Sequence, residues 1–241
     1  MLAGGGLAEY AVVQESYLIP CPEGLDPVQA SMFLVAGLTA YQSIVPHVKP
    51  GSKVFINGGS GGTGVFAIQI AKAVGCTVTT TCSGANVELC KSLGADHVID
   101  YRKENVVEAL KAIDQNFDHV VDNIGANWDL YWKCHEYTRP GAIFVVVGAT
   151  ISWAYIMDSL KRRLLPVFLG GGKRKSVGLF AAPKREEMEK VANWMADGTI
   201  KPVMDELFPF ERAPDAFKKL KTGRAKGKIV VEVSTDGFKD A

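Results

Sequence analysis

Long apolar runs are missing from this sequence of 241 residues. Glycine, proline or a charged residue interrupts every candidate before the roughly eighteen residues that a membrane-spanning helix requires, so a soluble protein is expected. Net charge is missing too. Lys and Arg number 27 against 26 Asp and Glu, and the formal charge of +1 gives no global pull toward nucleic acid or an anionic membrane. The basic run Lys173-Arg174-Lys175 is short and reads as a solvated loop. Cysteine is sparse: Cys21, Cys76, Cys82, Cys90 and Cys134 are widely spaced, with no C-x-x-C. That pattern excludes a disulfide framework and a zinc ribbon and fits a reducing compartment. No Lys or Arg precedes Lys49, while Glu9 and Glu15 are present. Neither a secretory n-region nor an Arg-rich transit peptide has that composition, which leaves the cytoplasm as the expected location.

What is present is the composition of an ordinary globular protein, with short β-branched runs alternating with helical periodicity from Lys53 onward. Strands are expected at 53–57, 77–81, 97–99, 119–122, 143–147 and 177–181. Helices are expected between them, at 63–74, 86–93, 106–113, 128–137 and 155–164. Strands as apolar as 143–147 need cover on both faces, and right-handed crossovers then give an α/β fold with a doubly wound parallel sheet. The ends read differently. Residues 8–13 alternate like a strand, and a helix is expected at 30–44. After Pro183 come a helix at 186–195, a strand at 203–210, a helix at 214–220 and a strand at 228–233.

The first strand runs into Asn57-Gly58-Gly59-Ser60-Gly61-Gly62-Thr63-Gly64 and then an apolar helix. Gly59, Gly61 and Gly64 satisfy G-x-G-x-x-G in the strand-turn-helix context of a dinucleotide site. The glycines permit the turn, the approach of a pyrophosphate and close helix packing, and the helix N-terminus offers free N–H groups. A cofactor with a free ribose 2'-hydroxyl usually meets an acid at the end of the second strand. Here that stretch is Thr79-Thr80-Thr81-Cys82-Ser83-Gly84-Ala85-Asn86, without a carboxylate. Ser83 and Asn86 can accept a 2'-phosphate, and Arg102 beside Tyr101 can add charge, so NADP is expected over NAD. The same Ser83 and Asn86 also suit a helix cap.

Several stretches together resemble the medium-chain dehydrogenase/reductases, specifically the zinc-independent quinone oxidoreductase and zeta-crystallin branch. They are Gly5-Gly6-Leu7-Ala8-Glu9-Tyr10, Gly37-Leu38-Thr39-Ala40-Tyr41, the glycine turn, Leu93-Gly94-Ala95-Asp96-His97-Val98-Ile99-Asp100-Tyr101 and Gly223-Arg224-Ala225-Lys226-Gly227-Lys228. The resemblance implies an NADP-binding Rossmann domain at residues 30–182, with 1–29 and 183–241 forming part of a GroES-like substrate domain. It places Ser60, Gly61, Gly62, Thr63 and Gly64 at the pyrophosphate, and Ser83, Asn86 and Tyr101 at the adenosine phosphate end. Asn123 and Gly148 fall on the nicotinamide side and Thr39 at the cleft floor. Ala36 stands where zinc-dependent relatives carry a cysteine ligand, so no metal is expected. Family members carry roughly a hundred further residues before the stretch seen here at 5–10, about a domain's worth. Much of the substrate domain is thus expected to be missing, and no catalytic acid is named; His135 and Tyr155 read as structural.

The resemblance implies a homodimer formed through residues 177–181. It also implies a reductase moving hydride from NADPH to an enone, enoyl compound or quinone, a small-molecule partner. The alternative is a truncated NADPH-binding or interaction protein with weak or no turnover.

Overall fold

Val54, Phe55 and Ile56 are wholly buried because their strand lies inside a sheet covered on both faces. In the computed structural model, which describes residues 5–113, 116–148 and 152–233, that strand is β1 (Lys53–Asn57). It is followed by β2 (Thr77–Cys82), β3 (His97–Asp100), β4 (Phe117–Asp122), β5 (Thr138–Val146) and β6 (Lys175–Gly178). All pair in parallel, in the order β3-β2-β1-β4-β5-β6. This is the doubly wound order expected from the sequence, and its reversal between β1 and β4 opens a crevice at the carboxyl ends of the strands.

Alternation along the strands decides which helices go where. Val54 and Ile56 of β1 and Val121 of β4 point to one core, shared with Phe66, Ile68 and Ile70. Those three belong to α3 (Gly64–Ala73), and α2 (Leu34–Ile44) and α8 (Arg185–Ala196) close the same face through Ala40, Ile44 and Val191. Phe55 and Val120 point the other way, into a core with Leu110 of α5 (Val106–Ala112) and Leu130 of α6 (Trp128–Trp132). Each such side chain, fully buried, contributes about 1.5–3 kcal/mol. The remaining helices are α1 (Pro27–Ser31), α4 (Val87–Ser92), α7 (Trp153–Leu164) and α9 (Ala213–Lys221).

Among the polar residues buried with these cores is a histidine. His119 of β4 is fully buried, its Nε2 lies 2.6 Å from Ser43 O, and its Nδ1 has no partner. Burial pulls its pKa down to about 4, against the opposing hydrogen bond to Ser43. The ring of His47 lies 5.1 Å from it.

The ends of the chain depart from expectation in several places. Residues 8–13 form no strand; Tyr10 and Val12 are exposed, and the alternation has no partner to pair with. The helix expected at 30–44 is two, since the Asp26 carboxyl caps α1 by accepting from Val28 N (2.7 Å) and Gln29 N (3.1 Å), and the chain turns at Met32 before α2 begins. The helix expected at 128–137 closes after α6, with a 3-10 turn at Cys134–Glu136. The last strand of the large sheet is Lys175–Gly178, not 177–181: its polar start suits an edge position, where little of the strand needs burial. The C-terminal β7 (Met204–Pro209) and β8 (Lys228–Glu232) pair in parallel as a separate two-stranded sheet, with α9 crossing between them. Residues 1–4 and 234–241, at the outer limits of the expected substrate-domain parts, lie outside the described residues.

Candidate cofactor site

The turn after β1 is held by the end of β2. Gly58 N donates to Thr81 Oγ1 (2.8 Å) and Gly59 N to Thr81 O (2.9 Å). Gly64, first residue of α3, packs against that turn so closely that a Cβ would overlap Gly58 O and come within 2.7 Å of Gly59 Cα. Only glycine permits this approach of helix to strand. At Gly61 the space is open, since a Cβ would have only Gly58 O near it, at 3.5 Å. Thr63, the N-cap of α3, makes no side-chain capping bond, so the helix end is left to whatever anion arrives.

Behind the turn lies a buried polar network. Thr81 Oγ1 donates to Asn57 Oδ1 (2.6 Å), and Asn57 Nδ2 donates to Asp122 Oδ1 (2.8 Å). The same Asp122 oxygen accepts from Ile124 N and Gly125 N, both at 3.0 Å. The network ties the ends of β1, β2 and β4 together at the topological switch point, which sets the shape of the crevice.

That crevice is a cleft of about 810 Å³, of the size that takes an organic ligand. Ser60, Gly61, Ser83, Asn86 and Tyr101 line it, as the sequence reading placed them. Asn86 Nδ2 donates to Ser60 Oγ (3.1 Å) and Ser83 Oγ (3.3 Å), joining the turn after β1 to the residue after β2, while its buried Oδ1 has no partner. Charge favours an anion: Arg102, Arg224 and Lys226 line the cleft against Glu104 alone. The Asp100 carboxyl, at the end of β3, is buried beside Gly84 and accepts from Arg102 N (3.1 Å); it does not line the cleft.

Gly62 faces a smaller pocket of about 360 Å³ that it shares with Gly227 and Lys228. Burial holds the Lys228 ammonium below the ordinary lysine range, and a Cβ on Gly62 would lie 3.8 Å from its Nζ. Thr63 and Gly64 sit beside this turn outside both cavities. Asn123 and Gly148 adjoin one another past the ends of β4 and β5; a Cβ on Gly148 would overlap Asn123 O, and Asn123 Oδ1 is buried without a partner. Thr39 does not line the cleft, and its hydroxyl donates to Val35 O (2.6 Å) within α2.

The sequence reading missed Asn57 and Asp122, the polar last residues of β1 and β4, and it gave no role to Arg224, Lys226 and Lys228. The signal for these three was the run of cations between glycines at 223–228. Its place became visible only through folding, where Gly227 N donates to Ser60 O (3.0 Å).

Comparison with known proteins agrees with this geometry. The sequence profile described as zinc-binding dehydrogenase matches residues 93–231, more than half of the chain. The chain belongs to the zinc-binding dehydrogenase family. The trans-enoyl reductase pgmF of Aspergillus terreus is 45% identical over 234 residues, which cover 95% of this chain and 65% of pgmF. The chain thus spans about two thirds of the length of that relative. The quinone oxidoreductase of Coxiella burnetii superposes with a TM-score of 0.76 at 31% identity, over 90% of this chain and 64% of its own. The 2-octenoyl-CoA carboxylase reductase CinF, solved in complex with NADP and 2-octenoyl-CoA, gives 0.75 at 26% identity, over 94% of this chain and 54% of its own.

Membership in the zinc-binding dehydrogenase family raises the question of the metal. Among the described residues no group of three or more His, Cys, Asp or Glu is placed to hold one, and Ala36 is buried in α2. The described side chains do not make a zinc donor set. The residues fit a dinucleotide better: an uncapped helix end, room at Gly61 and the unpartnered amide oxygens of Asn86 and Asn123.

Proposed function

We propose that this chain carries the cofactor-binding part of an NADPH-dependent reductase acting on an enone, enoyl compound or quinone. The observation that carries the proposal is the glycine turn, closed on α3 at Gly64 and open at Gly61, leading into a cleft with more cations than acids. The names of pgmF and of the Coxiella burnetii enzyme support a reductase of enoyl compounds or quinones. NADPH supplies the hydride when bound, and the protein's work is to bind, orient and exclude water. In this reading the N–H groups at 60–64 and the Lys228 ammonium hold the pyrophosphate. Ser83, Asn86, Tyr101 and Arg102, with Arg224 and Lys226 from the C-terminal arm, hold the adenosine phosphate end. Asn123 and Gly148 border the nicotinamide. Thr39 stays in the proposal by position alone, since Val35 O holds its hydroxyl.

The division into a cofactor domain at 30–182 and substrate-domain parts at 1–29 and 183–241 belongs to the same proposal, with α8 packing back on α2. So does a cytoplasmic setting, supported by the free thiols of Cys76, Cys82, Cys90 and Cys134, all buried. No helix among the described residues is long and apolar enough to cross a membrane.

The test is a fluorescence titration with NADPH and NADH beside a steady-state assay on a panel of enones and quinones. NADPH should bind at least about tenfold more tightly, a difference of roughly 1.4 kcal/mol. Ser83→Asp should reverse the order by setting a carboxylate where the 2'-phosphate would lie. Equal affinities in the parent chain would refute the cofactor assignment.

Homodimerisation along β6 is the remaining part of the proposal, supported by its place at the edge of the sheet. Leu179 N donates inward to Val146 O (2.9 Å), so by the two-residue period Ser176 N points outward. Ser176→Pro should therefore weaken the dimer and spare the sheet, as read by light scattering. A parent chain that is monomeric at working concentration would show the edge to be used otherwise.

A further inference from the structure

The basic run at 173–175, His135 and Tyr155 are not used by the cofactor cleft, yet the fold brings them to one place. Between α7 and β6 lies a cavity of about 750 Å³, lined by Arg162, Lys173, Arg174 and Lys175 with the hydroxyl-bearing Tyr155 and Ser159. Among the described residues no carboxylate lines it.

The expected solvated loop is in fact anchored. Tyr131 OH donates to Arg174 O (2.8 Å), and the Arg174 guanidinium donates to Thr138 O (2.8 Å) and Thr138 Oγ1 (3.0 Å). Lys173 Nζ lies 2.9 Å from His135 Nε2. Arg162 is the built element: its side chain is 9% exposed, it pairs with Asp158, and its guanidinium carbon lies 4.2 Å from the centroid of the Tyr131 ring. Its Nε is buried with no acceptor, although the side chain lines the cavity. A buried, unpartnered donor on a charged group calls for an acceptor from outside.

Charge selects the ligand. Asp158 offsets Arg162, whereas Arg174 spends its hydrogen bonds on neutral oxygens and Lys173 meets the His135 ring, with no ion pair among the described residues. A monoanionic carboxylate would leave most of this positive charge uncompensated; a dianionic phosphate monoester, with three acceptor oxygens, matches it. Size adds a body to the phosphate, because the cavity has the volume of an organic ligand site. Its other end is lined by Val146, Gly178 and Phe180, and Lys175 to Gly178 spans about 10 Å at strand rise.

We propose that this cavity is a second binding site, separate from the glycine-turn cleft, for a small organic phosphate. Its phosphoryl group sits between Arg162 and Lys173, and its body runs along β6 toward Gly178.

Calorimetric titration of the full chain, free and then saturated with NADPH, tests this with phenyl phosphate, benzoate and inorganic phosphate as probes. Phenyl phosphate should bind once per chain in both states, at least about tenfold more tightly than benzoate and more tightly than inorganic phosphate. Lys173→Glu should lower its affinity at least tenfold and Lys173→Arg should retain it, with NADPH affinity unchanged in both variants. Displacement by NADPH, indifference to Lys173→Glu, or no binding at all would overturn the site. A chain that binds phenyl phosphate but not NADPH would defeat the proposed cofactor role and leave this site standing.

Discussion

Gly64→Ala is expected to destabilise the chain by about 3 kcal/mol and to abolish measurable NADPH binding. The added Cβ would overlap Gly58 O and approach Gly59 C and Cα to 2.7 Å, all of them backbone atoms that cannot swing aside. Overpacking of this kind costs about 1–3 kcal/mol, with the upper end fitting a clash against backbone alone. Relief requires α3 to draw back from β1, which moves its N-terminal N–H groups away from any phosphate. Gly61→Ala is the control, because the nearest atom to its Cβ would be 3.5 Å away. That variant should unfold at the same urea concentration as the parent and still lose NADPH, since the methyl group occupies the space a pyrophosphate needs. A Gly64→Ala chain with the parent's urea midpoint would show that the turn is looser than its geometry states.

Acid should cost the fold roughly 3 kcal/mol through His119 alone. Above pH 6.5 the imidazole is neutral in both the folded and the unfolded chain, and its full contribution is present. Below that value the unfolded chain takes up a proton that the buried ring, with its pKa near 4, refuses. Stability then falls by about 1.4 kcal/mol per pH unit until the folded pKa is reached. Urea unfolding at pH 7.5 and 4.5, for the parent and for His119→Gln, isolates the effect as a difference of differences. Equal acid losses in the two proteins would mean that other groups carry the pH dependence.

The parts of this molecule legible in the sequence are those where local chemistry and tertiary demand agree. Lys53–Asn57 could be read because three consecutive apolar residues followed by glycines admit few other structures. The same agreement made the turn at 58–64 readable, since a strand that passes through clustered glycines into an apolar helix has few other folds open to it. Residues 8–13 misled because alternation describes a strand's faces and says nothing of a hydrogen-bonding neighbour. Lys175 and Ser176 hid the start of β6 because an edge strand accepts polar residues that a central one excludes. Arg224 and Lys226 could not be placed at the cleft from sequence, for they reach it from the far end of the chain. Arg162 was invisible for a related reason: only the folded α7 sets it over Tyr131 and against Asp158.

The hydrogen bond from Gly227 N to Ser60 O bears on the order in which the protein is made. During synthesis the six strands of the large sheet emerge first, and domains fold as units from the N-terminal side. A nascent chain that ends with α9 owns the floor of the cleft and the helix end of α3, but neither the Arg224–Lys226 wall nor Lys228. Contacts of such long sequence separation form late, after the entropy of closing the intervening chain has been met. In the proposed reading the cations that would hold a dinucleotide are therefore complete only once residues 223–228 have been made, after the sheet that supports them.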